Sequence, residues 1–259
     1  MLTLSPTTLL GTGRKRNLFA HVVDTLGGRI VRGELRAGDP FPVEADLGQE
    51  FGASRSVIRE AVKSLAAKGL LESRTRTGIR VLPPSRWNLL DLDVLEWRYS
   101  SMPPGEFYRE LFEVRLMIEP EAAALAAERA SEAEIAAIAD AYAGMAAPTE
   151  TTDVAVAADL VFHREILHAS GNVLLLQMGN LIGVGLLVSY RISQDPFEVF
   201  LGHHEDVLRA IQKRKPAVAR KAMDRLLSET RDFLETHLVP GQGPTLTKRF
   251  DRAKIPEEE

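Results

Sequence analysis

Apolar residues recur every three or four positions along most of the chain, which is the spacing of amphipathic helices. Beyond residue 84 this spacing predicts helices and no strand. The predicted helices span about residues 90–99, 106–128, 132–146, 153–169, 173–192, 196–213 and 216–237. We therefore expect a mainly α fold, with an antiparallel helical bundle in the C-terminal part.

The N-terminal third follows a different plan, with helices first and short strands after them. The predicted elements are helices at about residues 17–32, 44–51 and 55–67 and strands at residues 70–74 and 79–82. Gly52 is suited to a left-handed C-cap, and Ser54 can cap the third helix. This order of elements predicts a winged helix-turn-helix at residues 14–82.

Two consecutive prolines, Pro83 and Pro84, separate this region from the helical part, because they form an extended and fairly stiff spacer. We expect a linker and linker helix at residues 83–104 and a separate helical domain at residues 105–238. The polar segment 239–259 is expected to be a disordered tail.

Charge divides the chain in the same place. Residues 14–86 carry 14 lysines and arginines against 8 acidic residues, whereas residues 87–259 carry 18 against 28. The basic part suits a polyanion such as DNA. The chain has no cysteine, so a metal ion would need His, Asp or Glu ligands. Because no apolar run approaches the roughly 20 residues of a membrane span and no signal peptide is recognisable, we expect a cytoplasmic protein without a membrane partner.

Basic residues form a stripe on the third predicted helix, opposite its apolar side. Arg55, Arg59 and Lys63 are four residues apart, and Ser54 and Ser56 stand at the helix start. A major-groove helix needs such a stripe, since arginine can form two hydrogen bonds to guanine and a helix N-terminus can hold a phosphate. An ordinary amphipathic helix with a solvated basic face would show the same pattern, so the stripe alone leaves both interpretations open.

Further motifs surround this helix in a fixed order. They are Pro42-x-Glu44, Phe51-Gly-Ala-Ser-Arg-Ser-Val-Ile-Arg-Glu-Ala-Val62, Leu65-x-x-x-Gly69-Leu70-Leu71 and Gly78-x-x-Val81. This set resembles the GntR family of bacterial transcription regulators. The resemblance implies DNA contacts by Ser54, Arg55, Ser56 and Arg59 on the recognition helix, and by Thr75 and Arg76 at the wing tip. Ala45 stands where relatives often carry arginine, which puts one further contact in question.

Within the helical part, Asp159 and His163 are four residues apart and therefore lie on one face of a helix. That spacing suits a shared metal ion, but a salt-bridged or exposed helix pair would show the same spacing. The dipeptide His203-His204 opens a later helix. Two adjacent helical residues cannot face one point, and we favour His204 as the third ligand.

These residues resemble the FadR-like branch of the GntR family, whose all-helical effector domain is called the FCD domain. The resemblance spans about residues 105–237 and implies a divalent ion such as Zn, Ni or Mn on Asp159, His163 and His204. The branch usually has another histidine where this chain has Leu226. Such an ion would keep positions for water or effector oxygens, and the alternative is an empty site.

An anionic effector needs cations inside such a bundle, and arginine suits a carboxylate because its planar guanidinium donates two hydrogen bonds. The first candidate is Arg115, in a Val-Arg-x-x-x-Glu-Pro segment that resembles the family, where Glu119 would balance its charge. Arg191 and Arg231 are further candidates for effector binding. A surface or ion-paired arginine is the alternative for each of the three.

A narrower resemblance follows the wing. The segment Arg86-Trp-Asn-Leu-Leu-Asp-Leu-Asp-Val-Leu-Glu-Trp97 resembles the linker of a GntR-family regulator of sugar-acid catabolism. This resemblance implies an aldonate or similar sugar acid as the effector. Trp87 and Trp97 would equally suit a role in packing the two domains together.

These observations predict a ligand-responsive repressor of a sugar-acid or related organic-acid operon. It would bind double-stranded operator DNA as a homodimer and be released by a small carboxylate, with the bundle moving the DNA heads through residues 83–91. The alternatives are a regulator of a different organic acid and a metal-dependent all-helical enzyme. We expect no enzyme, because the chain has no phosphate-binding glycine loop and no Gly-x-Ser-x-Gly turn.

Overall fold

The computed structural model of the chain describes residues 18–74, 78–147, 152–193 and 197–237. These residues form two compact units that divide after Met102. The first unit contains helices α1 (Leu18–Val31), α2 (Glu44–Phe51), α3 (Arg55–Ala67) and α4 (Leu92–Ser101), strands β1 (Leu71–Arg74) and β2 (Gly78–Val81), and a short 3-10 turn at Pro84–Arg86. The strands pair antiparallel, with Leu71 opposite Val81.

The second unit is entirely helical in its described residues. Its helices are α5 (Pro104–Arg129), α6 (Glu132–Ala146), α7 (Thr152–Ala169), α8 (Val173–Gln177), α9 (Gly179–Ser193), α10 (Phe197–Gln212) and α11 (Pro216–His237). Helix α5 is the central one, since it packs against α7, α9, α10 and α11. The prediction of a mainly α fold, with a winged helix-turn-helix followed by an all-helical bundle, is confirmed.

The predicted caps around α3 are present. Gly52 ends α2 in the left-handed conformation with a φ of 59°, which glycine adopts without steric cost. The hydroxyl of Ser54 accepts a hydrogen bond from the Val57 amide at 3.4 Å and so caps α3. These two local signals fix the turn between α2 and α3.

One predicted element was wrong. The sequence indicated a single helix at residues 173–192, but the structure has the short helix α8 and then α9. The Asn172 side chain caps α8, and the Met178 amide bonds to the Leu175 carbonyl three residues back, which tightens the backbone between the two helices. An apolar pattern that runs through a one-residue break cannot reveal it.

The predicted linker belongs structurally to the first unit. Val94 and Trp97 of α4 are part of the same buried cluster as α1 and α3. A Cβ atom on Gly27 of α1 would lie 2.4 Å from two ring carbons of Trp97, so the indole occupies the space that this glycine leaves. The indole N–H of Trp87 donates to the Leu82 carbonyl at 3.0 Å. Both tryptophans therefore make these contacts within the first unit.

Lys68, at the C-terminal end of α3, also holds the linker. Its ammonium lies 2.8 Å from carboxylate oxygens of both Asp91 and Asp93 at the start of α4, and its carbonyl accepts from the Asn88 amide at 2.9 Å. Burial opposes the charge of Lys68, but hydrogen bonds to the two aspartates raise its pKa above the ordinary value. Helix α4 is thus tied to the end of α3.

No helix among the described residues is long and apolar enough to cross a membrane. Three parts of the sequence-based predictions fall outside the described residues. These are the wing-tip residues Thr75 and Arg76, the predicted tail at residues 239–259 and the side chain of Arg191.

We predict that Gly27→Ala destabilises the first unit. The added methyl would overlap three ring carbons of the buried Trp97, and overpacking of this kind costs about 1–3 kcal/mol. The measurement is urea denaturation followed by tryptophan fluorescence, which gives the free energy of unfolding.

Gly28→Ala is the matched control for this substitution. A methyl there would meet only the end of the Arg32 side chain at 2.8 Å, which can move. Alanine is also the better helix former by about 0.5–1 kcal/mol, so this control should be neutral or stabilising. Equal destabilisation by both variants would contradict the packing of Trp97 on Gly27.

Candidate DNA-binding and metal-binding sites

Helix α3 has one buried side and one exposed side. Ile58, Ala61, Val62 and Leu65 lie in the core of the first unit. The predicted DNA contacts are on the opposite side and exposed, namely Arg55, Ser56, Arg59 and Lys63. This placement follows from the helical repeat, because residues three and four apart share a side.

The exposed side of α3 carries its own polar contacts. The hydroxyls of Ser54 and Ser56 lie 2.9 Å apart. Arg59 pairs with Glu44 at the start of α2 at 3.4 Å, and Lys63 pairs with Glu60 at 2.7 Å. Because these ion pairs are solvent-exposed, they are weak and can exchange for phosphate or base contacts.

A second candidate site lies inside the helical unit. Asp159 and His163 of α7 and His204 of α10 are all buried, and one potential ligand atom from each lies within 4.8 Å of the others. His163 Nε2 is 3.3 Å and His204 Nε2 is 3.0 Å from the same carboxylate oxygen of Asp159. The structure therefore brings together the three residues that the sequence indicated as metal ligands.

The orientation of the two imidazoles bears on what this cluster can bind. Nδ1 of His163 lies against the Glu119 carboxylate, and Nδ1 of His204 is 2.8 Å from the Phe200 carbonyl. An oxygen acceptor at Nδ1 favours the N–H there, which leaves the Nε2 lone pair for another ligand. When both Nε2 atoms are deprotonated, their lone pairs converge with an oxygen of Asp159, and such a convergence of acceptors fits a divalent cation.

Glu119 of α5 links this cluster to an arginine. Its second carboxylate oxygen accepts a hydrogen bond from Arg115 Nε at 2.5 Å. The side chains of Arg115 and Glu119 are 1% and 2% exposed, so this ion pair is closed to water. The buried charged cluster thus consists of Arg115, Glu119, His163, Asp159 and His204.

The electrostatics of the cluster follow from its pairing. Burial would raise the pKa of Glu119, but the charges of Arg115 and His163 outweigh it and lower the pKa to about 2. Burial would lower the pKa of His163, but Glu119 and Asp159 outweigh it and raise the pKa to about 9. Burial likewise opposes the ionised form of Asp159, whose pKa is nevertheless lowered by its hydrogen bonds to His163 and His204.

Arg115 keeps one donor free within this cluster. Its Nη1 atom is buried and has no hydrogen-bond partner among the described residues. The guanidinium lies 4.9 Å from the centre of the Phe112 ring, and its aliphatic stem passes close to Gly185 of α9. A buried guanidinium N–H without an acceptor is costly, so this atom is suited to receive an acceptor from a ligand.

The remaining candidates lie elsewhere. His203 is partly exposed and pairs with Glu229 at 2.7 Å, while Arg231 is partly exposed and pairs with its neighbour Asp232. Leu226, in the place of the further histidine, is buried. The sequence-based analysis missed the contact between Glu119 and His163, because these residues are 44 positions apart and no local pattern connects them.

Two family models match the chain. The model described as bacterial regulatory proteins, gntR family, matches residues 18–81, and the FCD domain model matches residues 110–229. The first covers the winged helix, and the second covers most of the helical unit together with the whole buried charged cluster.

Relatives agree with these matches. The galactonate operon transcriptional repressor of Escherichia coli strain K12 is 38% identical over 162 residues, which are 62% of this chain and 71% of that protein. The Escherichia coli K12 regulator YieP, an uncharacterised HTH-type transcriptional regulator, is 31% identical over 82% of this chain and 94% of its own length.

A solved structure shares the fold. The structure of Lar, which controls expression of the agr system of Listeria monocytogenes, aligns with a TM-score of 0.63 at 18% identity, over 86% of this chain and 99% of that chain. The matches leave no support for the enzyme alternative, since the family and these relatives are transcription regulators. The chain belongs to the GntR family of bacterial transcription regulators, in the branch that carries an FCD domain.

Proposed function

We propose that this regulator is a homodimeric, metal-containing repressor of a sugar-acid or related organic-acid operon. A small carboxylate such as an aldonate would release it from double-stranded operator DNA. The observation that carries the sensing part is the buried charged cluster, in which Arg115 Nη1 has no hydrogen-bond partner among the described residues and three potential metal ligands converge. The large majority of buried polar groups in proteins have a hydrogen-bond partner, so an unsatisfied one beside a cluster of ligating side chains marks a candidate ligand contact.

For the DNA-binding part, Arg55 and Arg59 on the exposed side of α3 would read base edges in the major groove. Ser54, Ser56 and Lys63, with Thr75 and Arg76 of the wing, would contact the phosphate backbone or the minor groove. One winged helix alone binds too few bases for specificity, so two copies would read a palindrome about one helical turn apart.

The charge of the cluster suits it to bind a cation first and an anion once the cation is bound. Once metal binding has displaced the proton of His163, Arg115, Glu119 and Asp159 leave one net negative charge among the buried groups described here. Asp159, His163 and His204 would hold a divalent ion such as Zn, Ni or Mn, which supplies Lewis-acid positions for oxygen ligands. The site would then carry one net positive charge, which a monocarboxylate neutralises.

Arg115 would bind the carboxylate through Nη1, while Phe112 and Gly185 keep the guanidinium in place. A charged hydrogen bond of this kind contributes about 1.5–3 kcal/mol. The name of the galactonate operon repressor and the linker resemblance support a sugar acid as this carboxylate.

Transmission to the DNA-binding unit would use the chain near Met102. Residues 83–91 were expected to pass on the movement, but Lys68 and Trp97 hold the linker and α4 on the winged helix. We therefore propose a hinge at residues 102–103. Helix α4 would then move together with α3. Effector binding would shift the equilibrium between conformations that differ in affinity for DNA.

For DNA binding, we predict that Arg59→Ala weakens specific affinity by about 1–3 kcal/mol, roughly 5- to 150-fold, because a bidentate contact to a base is lost. The measurement is fluorescence anisotropy with a duplex that the wild-type protein selects from a random pool, at fixed salt. Lys221→Ala, an exposed site on α11, is the control and should bind normally. Unchanged affinity of Arg59→Ala would contradict the assigned recognition helix.

For the metal site, we predict that zinc stabilises the wild-type protein by about 2.7 kcal/mol at a hundredfold excess over its Kd, and that His204→Ala abolishes this gain. The measurement is the melting temperature with and without zinc. His203→Ala is the neighbouring control, because His203 pairs with Glu229 outside the cluster and should leave the zinc effect intact.

The same site has an expected pH dependence. Metal binding must displace the proton that His163 carries below its pKa of about 9. Zinc affinity should therefore rise about tenfold from pH 7 to pH 8. A zinc effect that survives His204→Ala, or that is independent of pH, would contradict this metal site.

For effector sensing, we predict that Arg115→Met raises the acid concentration needed for half-release from DNA by roughly 10- to 100-fold, since a charged hydrogen bond to the carboxylate is lost. A panel of three- to six-carbon carboxylates including galactonate identifies the acid to use, and anisotropy follows release. Arg109→Met, exposed on the same helix, is the control. Release at the wild-type concentration would rule out Arg115 as the carboxylate ligand.

A further inference from the structure

The carboxylate of Glu119 has two buried partners at once. One oxygen accepts from Arg115 Nε, the other lies against His163 Nδ1, and the side chain is 2% exposed. We propose that Glu119 is a positioning residue that couples the metal ligand His163 to the effector-binding Arg115. This inference rests on the proposed function, because it needs a metal ion on the His163 side of Glu119 and the effector carboxylate on the Arg115 side.

On the metal side, Glu119 selects the state of His163. A carboxylate at Nδ1 keeps the N–H on that nitrogen and turns Nε2 toward Asp159, 3.3 Å away. The same hydrogen bond makes the imidazole a stronger donor of electrons to a metal, as carboxylate partners of ligating histidines generally do. The geometry of the ring thus depends on a residue that is not itself a ligand.

On the effector side, Glu119 determines which N–H donors of Arg115 remain available for the effector. It accepts the Nε hydrogen at 2.5 Å and leaves Nη1 buried, with no partner in the part of the chain that the structure describes. The i, i+4 spacing of the two residues on α5 keeps this pairing on one side of the helix. Without Glu119, the guanidinium would lose the hydrogen bond that directs its Nε toward the cluster.

The shared carboxylate of Glu119 also makes the coupling between metal binding and effector binding positive. When His163 binds a cation through Nε2, its Nδ1–H becomes a stronger donor and draws more of the negative charge of Glu119 toward itself. Arg115 is then less neutralised and binds an anion more strongly. Coupling between two bound ligands is reciprocal, so the anion strengthens metal binding by the same factor.

The test is the zinc affinity of the purified full chain without any effector, measured by competition with a chelating dye. Glu119→Gln keeps the shape of the side chain and removes its charge, and we expect 10- to 100-fold weaker zinc binding. The matched control is Glu121→Gln, two residues along α5, where the glutamate is exposed and pairs with Arg220 at 2.6 Å. This control should bind zinc like the wild type.

A second variant separates coupling from a purely structural role. In Arg115→Met, the whole charge of Glu119 is available to His163, so zinc should bind more tightly than in the wild type. Loss of a nearby positive charge adds to this gain whether or not Glu119 is present. The gain should therefore be smaller in the double variant with Glu119→Gln, and this difference measures the coupling.

The outcomes are distinct. Zinc binding by Glu119→Gln at wild-type strength, or equal gains from Arg115→Met in both backgrounds, would overturn the coupling and leave the metal site standing. Zinc binding no tighter in Arg115→Met than in the wild type would overturn it too, even if Glu119→Gln did not fold. Absence of zinc binding by the wild-type chain would overturn the proposed metal site and this inference together.

Discussion

Charged groups inside a helical bundle are costly unless each of them meets a partner, and Glu119 meets two. Its carboxylate joins Arg115 to His163, and His163 in turn faces Asp159 and His204. Three helices, α5, α7 and α10, are therefore held in register by one chain of polar contacts as well as by apolar packing. Removing one member would leave its neighbour buried and uncompensated, which is far more destabilising than the loss of a surface ion pair.

The DNA-binding unit depends on a comparable connection. Lys68 at the end of the recognition helix is bound to Asp91 and Asp93 at the start of α4, and Trp97 of α4 fills the space beside Gly27. The recognition helix and α4 are consequently parts of one packed core rather than separate pieces joined by a flexible spacer. In the proposed mechanism, this connection lets a movement of α4 change the position of the recognition helix itself.

Much of the fold was predictable because its signals are local. The helical repeat, Gly52 at a positive φ and Ser54 at a helix start each act within a few residues, and the structure has the helices and caps that they indicate. The sequence signals for the candidate metal ligands are only partly local. Asp159 and His163 share a helix face, but no local pattern separates His204 from the adjacent His203, and the structure orients His204 toward Asp159.

The sequence by itself determined the family, the winged helix followed by a helical bundle, and the residue types available for DNA, metal and carboxylate binding. Only the tertiary structure decided that Glu119 contacts His163, that Arg115 Nη1 has no partner among the residues described, and that the linker packs on the winged helix. The physical reason is the distance along the sequence over which each interaction acts. Helix periodicity and capping depend on neighbours in sequence, whereas hydrogen bonds between buried side chains depend on how distant helices pack.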